Sequence, residues 1–145
     1  MSLRKTQSGS LLSVSIINVL RSQSLPGTDF KEPRDVLKSL NIAFPGEEHN
    51  DMYFTIWFGI FDNISRKLRF SSGGHPPAIL IHNCNSDCTR VTLLKTLNPV
   101  VGGMQDFTYE TRETLINKNA KLYVFSDGTY EIQKKMDRCG ALKIL

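Results

Sequence analysis

The residues best suited to carry chemistry lie near the end of the chain, in the segment Lys121–Ile132. A short apolar run, Leu122–Phe125, is followed at once by Ser-Asp-Gly, which places a carboxylate at Asp127. Such a run is typical of a strand buried on both faces. A carboxylate at the end of that strand is an oxygen ligand suited to Mg²⁺ or Mn²⁺, and Gly128 allows close backbone approach. The alternative is that Asp-Gly is only a turn.

A second candidate is the turn-like segment Ser-Gly-Gly-His-Pro-Pro-Ala, which precedes a predicted strand. Its glycines relieve backbone steric restrictions, while its prolines fix φ and remove N–H donors. We therefore expect a rigid turn with the histidine at its apex, where it is a general acid or base or an orienting donor. The alternative is that the histidine only hydrogen-bonds the turn. The residues predicted to shape a site here are Gly73, Gly74, His75, Pro76 and Pro77.

The cysteines do not form a disulfide framework, because there are three of them. Cys84 and Cys88 lie close to His82 in a polar segment, whereas Cys139 is remote. Structural zinc sites normally have four ligands, and a fourth is missing here. We therefore predict free thiols in a cytoplasmic protein, with zinc binding as the alternative.

Length and composition are those of one globular domain, with 145 residues, 40% hydrophobic and 22% charged. The net charge of +4 comes from scattered basic residues, so we expect no nucleic-acid partner. No apolar stretch approaches the ~20 residues that cross a bilayer, so we expect no membrane partner. Residues 1–9 are polar and are predicted to be a disordered segment left from an expression vector, followed by one domain at residues 10–145.

The hydrophobic pattern predicts two helices followed by antiparallel strands. The helices are Ser10–Arg21, largely buried, and a second that runs from Pro33 to Phe44. Met52–Phe61 is apolar on both faces, which favours a central strand with layers on each side. The other predicted strands, with a loop at Asn83–Asp87, are Lys67–Ser72, Ala78–His82, Arg90–Leu94, Phe107–Thr114 and Leu122–Phe125. This order implies an α+β fold with a β-sandwich.

Taken together and in order, these motifs resemble the protein phosphatase 2C-like catalytic domain of the stage II sporulation protein E family. That family contains bacterial serine/threonine phosphatases. Its members have a Gly-His-Pro-Pro-Ala turn and, later, a strand that ends in Asp-Gly. The segment Asn98–Gly102 is similar to a Leu/Pro-x-x-Gly segment of the family, which adds Gly102 to the site-shaping residues. The resemblance extends over the chain from about Ser10.

The resemblance implies a truncated phosphatase 2C-like β-sandwich flanked by helices, with two Mn²⁺ or Mg²⁺ ions at its edge. The ions activate a water that attacks phosphoserine or phosphothreonine. Asp127 corresponds to a catalytic, metal-binding aspartate, and Gly128 to its neighbour. The implied substrate is a phosphorylated regulator that resembles an anti-anti-sigma factor, and the implied setting is a cytoplasmic signalling protein with an upstream sensor or receiver domain.

The sequence also departs from the family pattern. The acidic segments that supply the family's other metal ligands, before its first helix and after its last, have no counterpart here. One carboxylate cannot hold two ions, so we expect this chain alone to be inactive. We also expect a homodimer, because a truncated sandwich exposes apolar strand edges and faces. The alternative function is a phosphoprotein-binding or scaffold module with a degenerate phosphatase fold. Nucleic-acid binding rests only on the pI of 9.1.

Overall fold

The structure, a computed structural model, describes residues 7–46, 53–85 and 88–125, and among them two helices precede six strands. The helices are α1 (Gln7–Ser22) and α2 (Pro33–Ala43). The strands are β1 (Ile56–Asp62), β2 (Lys67–Gly73), β3 (Ala78–Asn85), β4 (Cys88–Leu94), β5 (Arg112–Leu115) and β6 (Lys121–Tyr123). All strand pairs are antiparallel, so the predicted α+β class is confirmed.

Helix α2 forms because its sequence combines a proline start with one apolar face. Pro33 lies in the first turn, where its missing N–H has no intrahelical partner to lose and its fixed φ suits a helix. Val36, Leu37 and Leu40 recur at spacings of one, three and four, and all three are fully buried. The helix ends where the N–H of Phe44 still donates to the Leu40 carbonyl at 2.9 Å. The predicted helix is therefore confirmed.

Helix α1 begins at Gln7, three residues before the predicted start, and is less buried than its sequence suggests. Ile16 is buried in the cluster that contains α2, whereas Val14 and Ile17 are 55% and 46% exposed. The helix has apolar residues of its own on every side, but only one of its faces packs against the other described residues. The prediction of a largely buried helix is therefore wrong within the described part of the chain.

Among the described residues, the first sheet has the order β1-β2-β5, which leaves β1 at its edge. β1 pairs with β2 from Ile56 opposite Gly73 to Asp62 opposite Lys67. Within this part of the chain the prediction of a central strand is wrong, because apolar residues on both faces report on the layers above and below a strand rather than on its lateral neighbours. Those layers are present: Phe58 packs toward the helices, and Trp57 packs toward the second sheet.

The second sheet has the order β4-β3-β6, with β3 at its centre. β3 continues to Asn85, into the predicted loop Asn83–Asp87, because its pairing with β4 extends to Asn85 opposite Cys88. β6 occupies an edge, and Leu122 and Tyr123 are 40% and 43% exposed. The prediction that β6 is buried on both faces is therefore wrong for its described residues.

The predicted strand Phe107–Thr114 is also shorter than expected, because β5 begins only at Arg112. Alternation of apolar and polar residues before β5 reflects packing rather than strand pairing. Tyr109 is buried in the helix-side cluster and makes an edge-to-face contact with Phe107, with ring centroids 5.2 Å apart. The side chains of this segment are therefore held by packing, although its backbone forms no strand before Arg112.

The two sheets pack face to face, and the helices cover the other side of the first sheet. Leu68 and Phe70 of β2 share a buried cluster with Ala78 and Leu80 of β3, which forms the core between the sheets. Trp57 stacks on Phe70 with centroids 5.7 Å apart. No helix within the described ranges is long and apolar enough to span a membrane.

Candidate functional site

The structure brings the histidine turn to the end of the second sheet at which the chain leaves β6. β6 runs antiparallel to β3, with Tyr123 opposite Ile79, the second residue of β3. The chain beyond β6 therefore continues toward the start of β3 and the turn before it. Asp127 and Gly128 lie outside the described residues, but Phe125, two residues before Asp127, is described. The structure therefore describes the histidine turn and the chain up to Phe125, and the prediction for Asp127 and Gly128 stays a prediction.

The surface at this end, which we call the turn edge, depends on close approach between two backbone segments. The turn edge consists of Gly73–Pro77 and Thr96–Gly102. The N–H of Gly74 donates to the Asn98 carbonyl at 3.2 Å, and Gly73 forms a parallel bridge with Asn98. Gly74 has φ +60°, and a Cβ there would lie 2.5 Å from Cγ1 of Val100. Position 74 therefore requires glycine for both its conformation and its contacts.

Gly73 serves the same approach from the end of β2. A Cβ on Gly73 would lie 2.9 Å from Cγ2 of Val101 and 3.2 Å from the carbonyl oxygen of Pro99. Its φ is not positive, so steric contact alone explains why a side chain is not accommodated. The two glycines together let the chain turn from the first sheet to the second directly beneath residues 99–101.

Ser72 and Thr96 join the two segments through reciprocal hydrogen bonds. The Ser72 N–H donates to Oγ1 of Thr96 at 2.9 Å, and the Thr96 N–H donates to Oγ of Ser72 at 3.0 Å. Oγ1 of Thr96 in turn donates to the Ser72 carbonyl at 2.9 Å. Both residues are buried, so these bonds form away from solvent. Buried and satisfied polar pairs of this kind fix the relative position of the segments that carry them.

Asn98 extends the network with its side chain. Nδ2 donates to Oγ1 of Thr96 at 2.8 Å and to Oγ of Ser71 at 3.0 Å, while Oδ1 accepts the N–H of Glu110 at 3.0 Å. The residue is buried, and its amide uses both its donor and its acceptor capacity. Asn98 thus connects β2, the turn edge and the segment before β5.

His75 directs one ring nitrogen back into its own turn. Nδ1 lies 2.9 Å from the carbonyl oxygen of Pro76. A carbonyl can only accept, so Nδ1 must carry the hydrogen and donate it, which assigns the tautomer from its partner. Nε2 is then the ring nitrogen with a lone pair that can accept a hydrogen bond. The side chain is half-buried, at the start of β3.

Gly102, at the far side of the turn edge, is fixed by a buried asparagine of α2. Oδ1 of Asn41 accepts the Gly102 N–H at 2.7 Å and the Tyr109 hydroxyl at 3.1 Å. Nδ2 of Asn41 donates to the carbonyls of Met104 and Gln105 at 2.8 and 2.9 Å. Burial raises the pKa of Tyr109 to about 12, so its hydroxyl remains a donor. Gly102 has φ +87° and therefore also occupies a conformation that favours glycine.

The described residues do not form a metal site by themselves. Among residues 7–46, 53–85 and 88–125, no three His, Cys, Asp or Glu side chains cluster closely enough to hold an ion. Asp127 falls outside those ranges, as do the side chains of Cys84, Cys88 and Cys139 on which the zinc alternative depends. The metal predictions therefore remain predictions.

A groove at the opposite end of the first sheet is an alternative position for a functional site. It has a volume of about 300 Å³ and is lined by Ile60, Asp62, Ser65, Lys67, Arg69 and Glu113. Its cations already have carboxylate partners: Lys67 pairs with Glu113 at 3.1 Å, and Arg69 with Glu32 at 3.6 Å. Paired charges on an open surface are typical of a solvated face. The site-shaping residues predicted from the sequence lie at the turn edge and not in this groove, and their role stays a prediction.

Sequence reasoning missed the polar residues that hold the turn edge together. Ser71, Ser72 and Thr96 were not candidates, although each is buried and hydrogen-bonded. The available signal was the change from apolar to small hydroxyl residues within β2, after Phe70 and before the glycines. Such residues inside a strand indicate that the backbone or a buried polar group approaches closely.

Comparison with protein families finds a match to stage II sporulation protein E (SpoIIE) over residues 6–143. The chain is also 28% identical over 108 residues to the phosphoserine phosphatase RsbU of Bacillus subtilis. That alignment covers 74% of this chain and 31% of RsbU. The chain therefore spans about a third of the length of this curated relative.

Comparison with solved structures identifies the fold. The structure of the PP2C phosphatase domain and a fragment of the regulatory domain of SpoIIE from Bacillus subtilis matches with a TM-score of 0.62 and 20% identity. The match covers 81% of this chain and 33% of that one. The SpoIIE phosphatase domain presoaked with manganese matches with a TM-score of 0.42 and 20% identity, covering 88% and 49%. At these identities the first match establishes the fold.

Proposed function

Because the chain belongs to the stage II sporulation protein E family, we propose that it is part of a metal-dependent protein serine/threonine phosphatase. The reaction is hydrolysis of a phosphoserine or phosphothreonine monoester in a protein. The observation that carries the proposal is the family match over residues 6–143, and the fold shared with a PP2C phosphatase domain supports it. The similarity to a protein named as a phosphoserine phosphatase points to the same substrate class.

The proposal includes dependence on Mn²⁺ or Mg²⁺, with two ions in the intact domain. Asp127 is the proposed catalytic metal ligand, and Gly128 leaves room beside it. This assignment rests on the family resemblance, because Asp127 and Gly128 lie outside the described residues. A dinuclear centre needs several oxygen ligands, so we propose that further carboxylates come from outside this chain and that the chain alone is inactive.

The proposed biological setting follows from the family resemblance. The substrate is a phosphorylated regulator similar to an anti-anti-sigma factor, in the cytoplasm of a bacterium. A sensor or receiver domain elsewhere in the natural protein provides the input. These proposals concern the whole protein, because the chain spans about a third of the length of RsbU.

The test is phosphate release from a phosphoserine protein by the natural protein that contains this chain. Wild type is assayed with Mn²⁺, with Mg²⁺ and after chelation, beside this chain alone. Asp127→Asn should lower kcat/KM by at least about 100-fold, since it removes a metal ligand. Asp62→Asn is the matched control, because Asp62 is a solvent-exposed carboxylate at the opposite end of β2.

Two results would change the conclusion. If the natural protein is inactive with either cation, the enzyme proposal is wrong, and a phosphoprotein-binding module becomes the function to test by direct binding. If Asp127→Asn retains wild-type activity with unchanged Mn²⁺ dependence, the phosphatase assignment stands but the assignment of Asp127 is wrong.

A further inference from the structure

We propose that an apolar groove between the β1–β2 hairpin and β6 binds a partner protein, through a segment of that partner in which apolar side chains are flanked by acidic ones. The apolar groove has a volume of about 310 Å³ and is lined by Phe61, Arg66, Leu68, Ile116, Ala120 and Leu122. It shares no residue with the turn edge, so the inference does not depend on the proposed phosphatase activity.

The apolar groove exists because the described residues leave the core between the two sheets open at this point. Phe61 pairs with Leu68, and Leu122 pairs with Leu80, and residues directly opposite in antiparallel strands point to the same side of a sheet. Leu68 and Leu80 are 3% and 0% exposed, whereas Phe61 and Leu122 are 43% and 40% exposed. Two inward-facing apolar side chains therefore remain accessible, and covering them is favourable for a partner.

The size of the apolar groove suits side chains of a protein rather than a whole small molecule. Pockets that enclose small ligands have volumes of about 300–1,000 Å³, so this open groove is at their lower limit. In protein interfaces, a few side chains that fill such pockets carry most of the binding energy. Ile64, in the same hairpin as Phe61, is 96% exposed, and Leu115, next to Ile116, is 61% exposed, so further apolar surface adjoins the groove.

Arg66 gives one wall of the apolar groove a positive charge that is held in place. Nε and Nη2 donate to the carbonyls of Ile116 and Asn117 at 3.1 and 3.0 Å, and the guanidinium lies 5.1 Å from the centroid of the Phe61 ring. These bonds use the side of the guanidinium that carries Nε. No carboxylate of the described residues forms an ion pair with Arg66. The outer fork of Nη1 and Nη2 is therefore available for a carboxylate with two parallel hydrogen bonds.

Two lysines in and next to the loop before β6 add to this charge. Lys118 and Lys121 are exposed, and within the described part of the chain neither forms an ion pair with a carboxylate. By contrast, Lys67 and Arg69, which alternate with the inward-facing residues of β2, each have a carboxylate partner on the other face of the first sheet. An apolar groove beside cations without such partners is complementary to an apolar segment that carries acidic side chains.

The experiment measures binding of a fluorescein-labelled peptide, Gly-Asp-Glu-Leu-Phe-Asp-Glu-Gly, to the protein that contains this chain. Fluorescence anisotropy should give a dissociation constant of about 10–100 µM, because the groove is small and the peptide covers little else. A peptide with Asn and Gln in place of the acids should bind at least about tenfold more weakly, as should one with Ser in place of Leu and Phe. Binding of the acidic peptide should also weaken as the salt concentration rises.

Substitutions in the protein test the charge and the apolar contact separately. Lys118→Glu reverses an exposed charge beside the groove and should weaken binding of the acidic peptide by about 3- to 10-fold. Lys31→Glu is the matched control, because it changes the net charge equally at an exposed position just before α2, and it should change the dissociation constant by less than about 1.5-fold. Leu122→Ser removes an apolar contact and should weaken binding by about 5- to 20-fold.

Methyl NMR spectra of the wild type locate the peptide, which should shift the signals of Ile116 and Leu122 and leave that of Val101 at the turn edge unchanged. The inference is overturned if the dissociation constant exceeds about 1 mM, if the peptide without acids binds equally well, or if Lys31→Glu weakens binding as much as Lys118→Glu. Shifts of the groove signals with protein concentration alone would assign the groove to a second copy. Binding of phosphatidylglycerol vesicles without binding of the peptide would assign it to a lipid surface, and either result also overturns the inference.

Discussion

The two ends of the first sheet use the same kinds of hydrogen bond in opposite environments. At the turn edge, Thr96 and Asn98 are 5% and 7% exposed, and Ser72, which precedes it in β2, is 1% exposed. At the other end, which we call the hairpin end (Asp62–Lys67 and Leu115–Ala120), Ile64 is 96% exposed. A buried polar bond is costly to break because its groups remain unsatisfied, whereas solvent replaces an exposed one. The turn edge is therefore the end whose geometry is fixed.

The hairpin end also joins two segments, but it does so with an arginine at the surface. Nε and Nη2 of Arg66 donate to the carbonyls of Ile116 and Asn117 at 3.1 and 3.0 Å. The guanidinium also lies over the Phe61 ring, 5.1 Å from its centroid. These contacts connect the hairpin to the loop before β6 without burying a polar network. The comparison indicates that buried hydrogen bonds fix the backbone at the turn edge, where the proposed site lies, and not at the hairpin end.

The largest expected effect on stability is at Gly74. Gly74→Ala should lower the free energy of unfolding by about 2–5 kcal/mol, because it combines a left-handed residue with overpacking against Val100. Gly27→Ala is the matched control: Gly27 has φ +68° but no atom within 4 Å of a Cβ, so we expect about 1 kcal/mol. Urea denaturation of both variants provides the values. Equal losses would contradict the close approach at the turn edge.

Asn98→Ala should be the next most damaging change. It leaves the Glu110 N–H and the hydroxyls of Ser71 and Thr96 short of a buried partner, so we expect a loss of about 2–4 kcal/mol. Arg66→Ala at the hairpin end removes two hydrogen bonds, one part-buried and one exposed, and should cost about 1 kcal/mol. If the arginine substitution proves the more costly of the two by urea denaturation, burial is not what distinguishes the ends.

The raised pKa of Tyr109 predicts how the free energy of unfolding depends on pH in alkali. Its pKa is raised to about 12, so folding favours the neutral phenol. This contribution is fully present below pH 10, the ordinary pKa, and is lost as the pH rises toward about 12, which amounts to about 2–3 kcal/mol. Free energies of unfolding at pH 9 to 12 should therefore fall more steeply for wild type than for Tyr109→Phe. Parallel curves would show that Tyr109 does not titrate as a buried group.

The smallest expected effect belongs to Asp62 at the hairpin end. A hydrogen bond from the Ser65 hydroxyl, with backbone N–H donors of Ile64 and Ser65, lowers the pKa of Asp62 below its ordinary 3.8. The stabilisation from a lowered carboxyl pKa is present above the ordinary value and is lost as the pH falls through the lowered one. The difference in stability between wild type and Asp62→Asn should therefore narrow below about pH 4. A difference that grows in acid would contradict this assignment.

The sequence was most informative where one local pattern determined one element. Pro33 and the apolar face of α2 predict that helix almost to the residue, and the β1–β2 hairpin follows from its short connection. Lateral strand order could not be predicted, because apolar faces do not identify neighbours within a sheet, and β1 proved to be an edge strand. The glycines and prolines of Gly73–Pro77 predicted a rigid turn.

What the sequence could not supply was the set of long-range polar contacts that holds this turn. The bond between Ser72 and Thr96 spans 24 residues, and Asn41 reaches Gly102 across 61. Neither partner is unusual in its own local sequence, so only the folded arrangement identifies them. The same reason explains Phe107–Thr114, where alternation came from anchoring of Tyr109 and Glu110 rather than from strand pairing.

The most direct test of the account is to ask where Mn²⁺ binds in the protein that contains this chain. Mn²⁺ is paramagnetic and broadens the amide signals of nuclei close to it in an NMR titration. We predict selective broadening at Gly74, His75 and Val124, with Ile64 and Arg66 unaffected, because β2 separates the two ends by about 20 Å. Broadening centred on the hairpin end, or none at saturating Mn²⁺, would contradict the placement of a metal-dependent site at the turn edge.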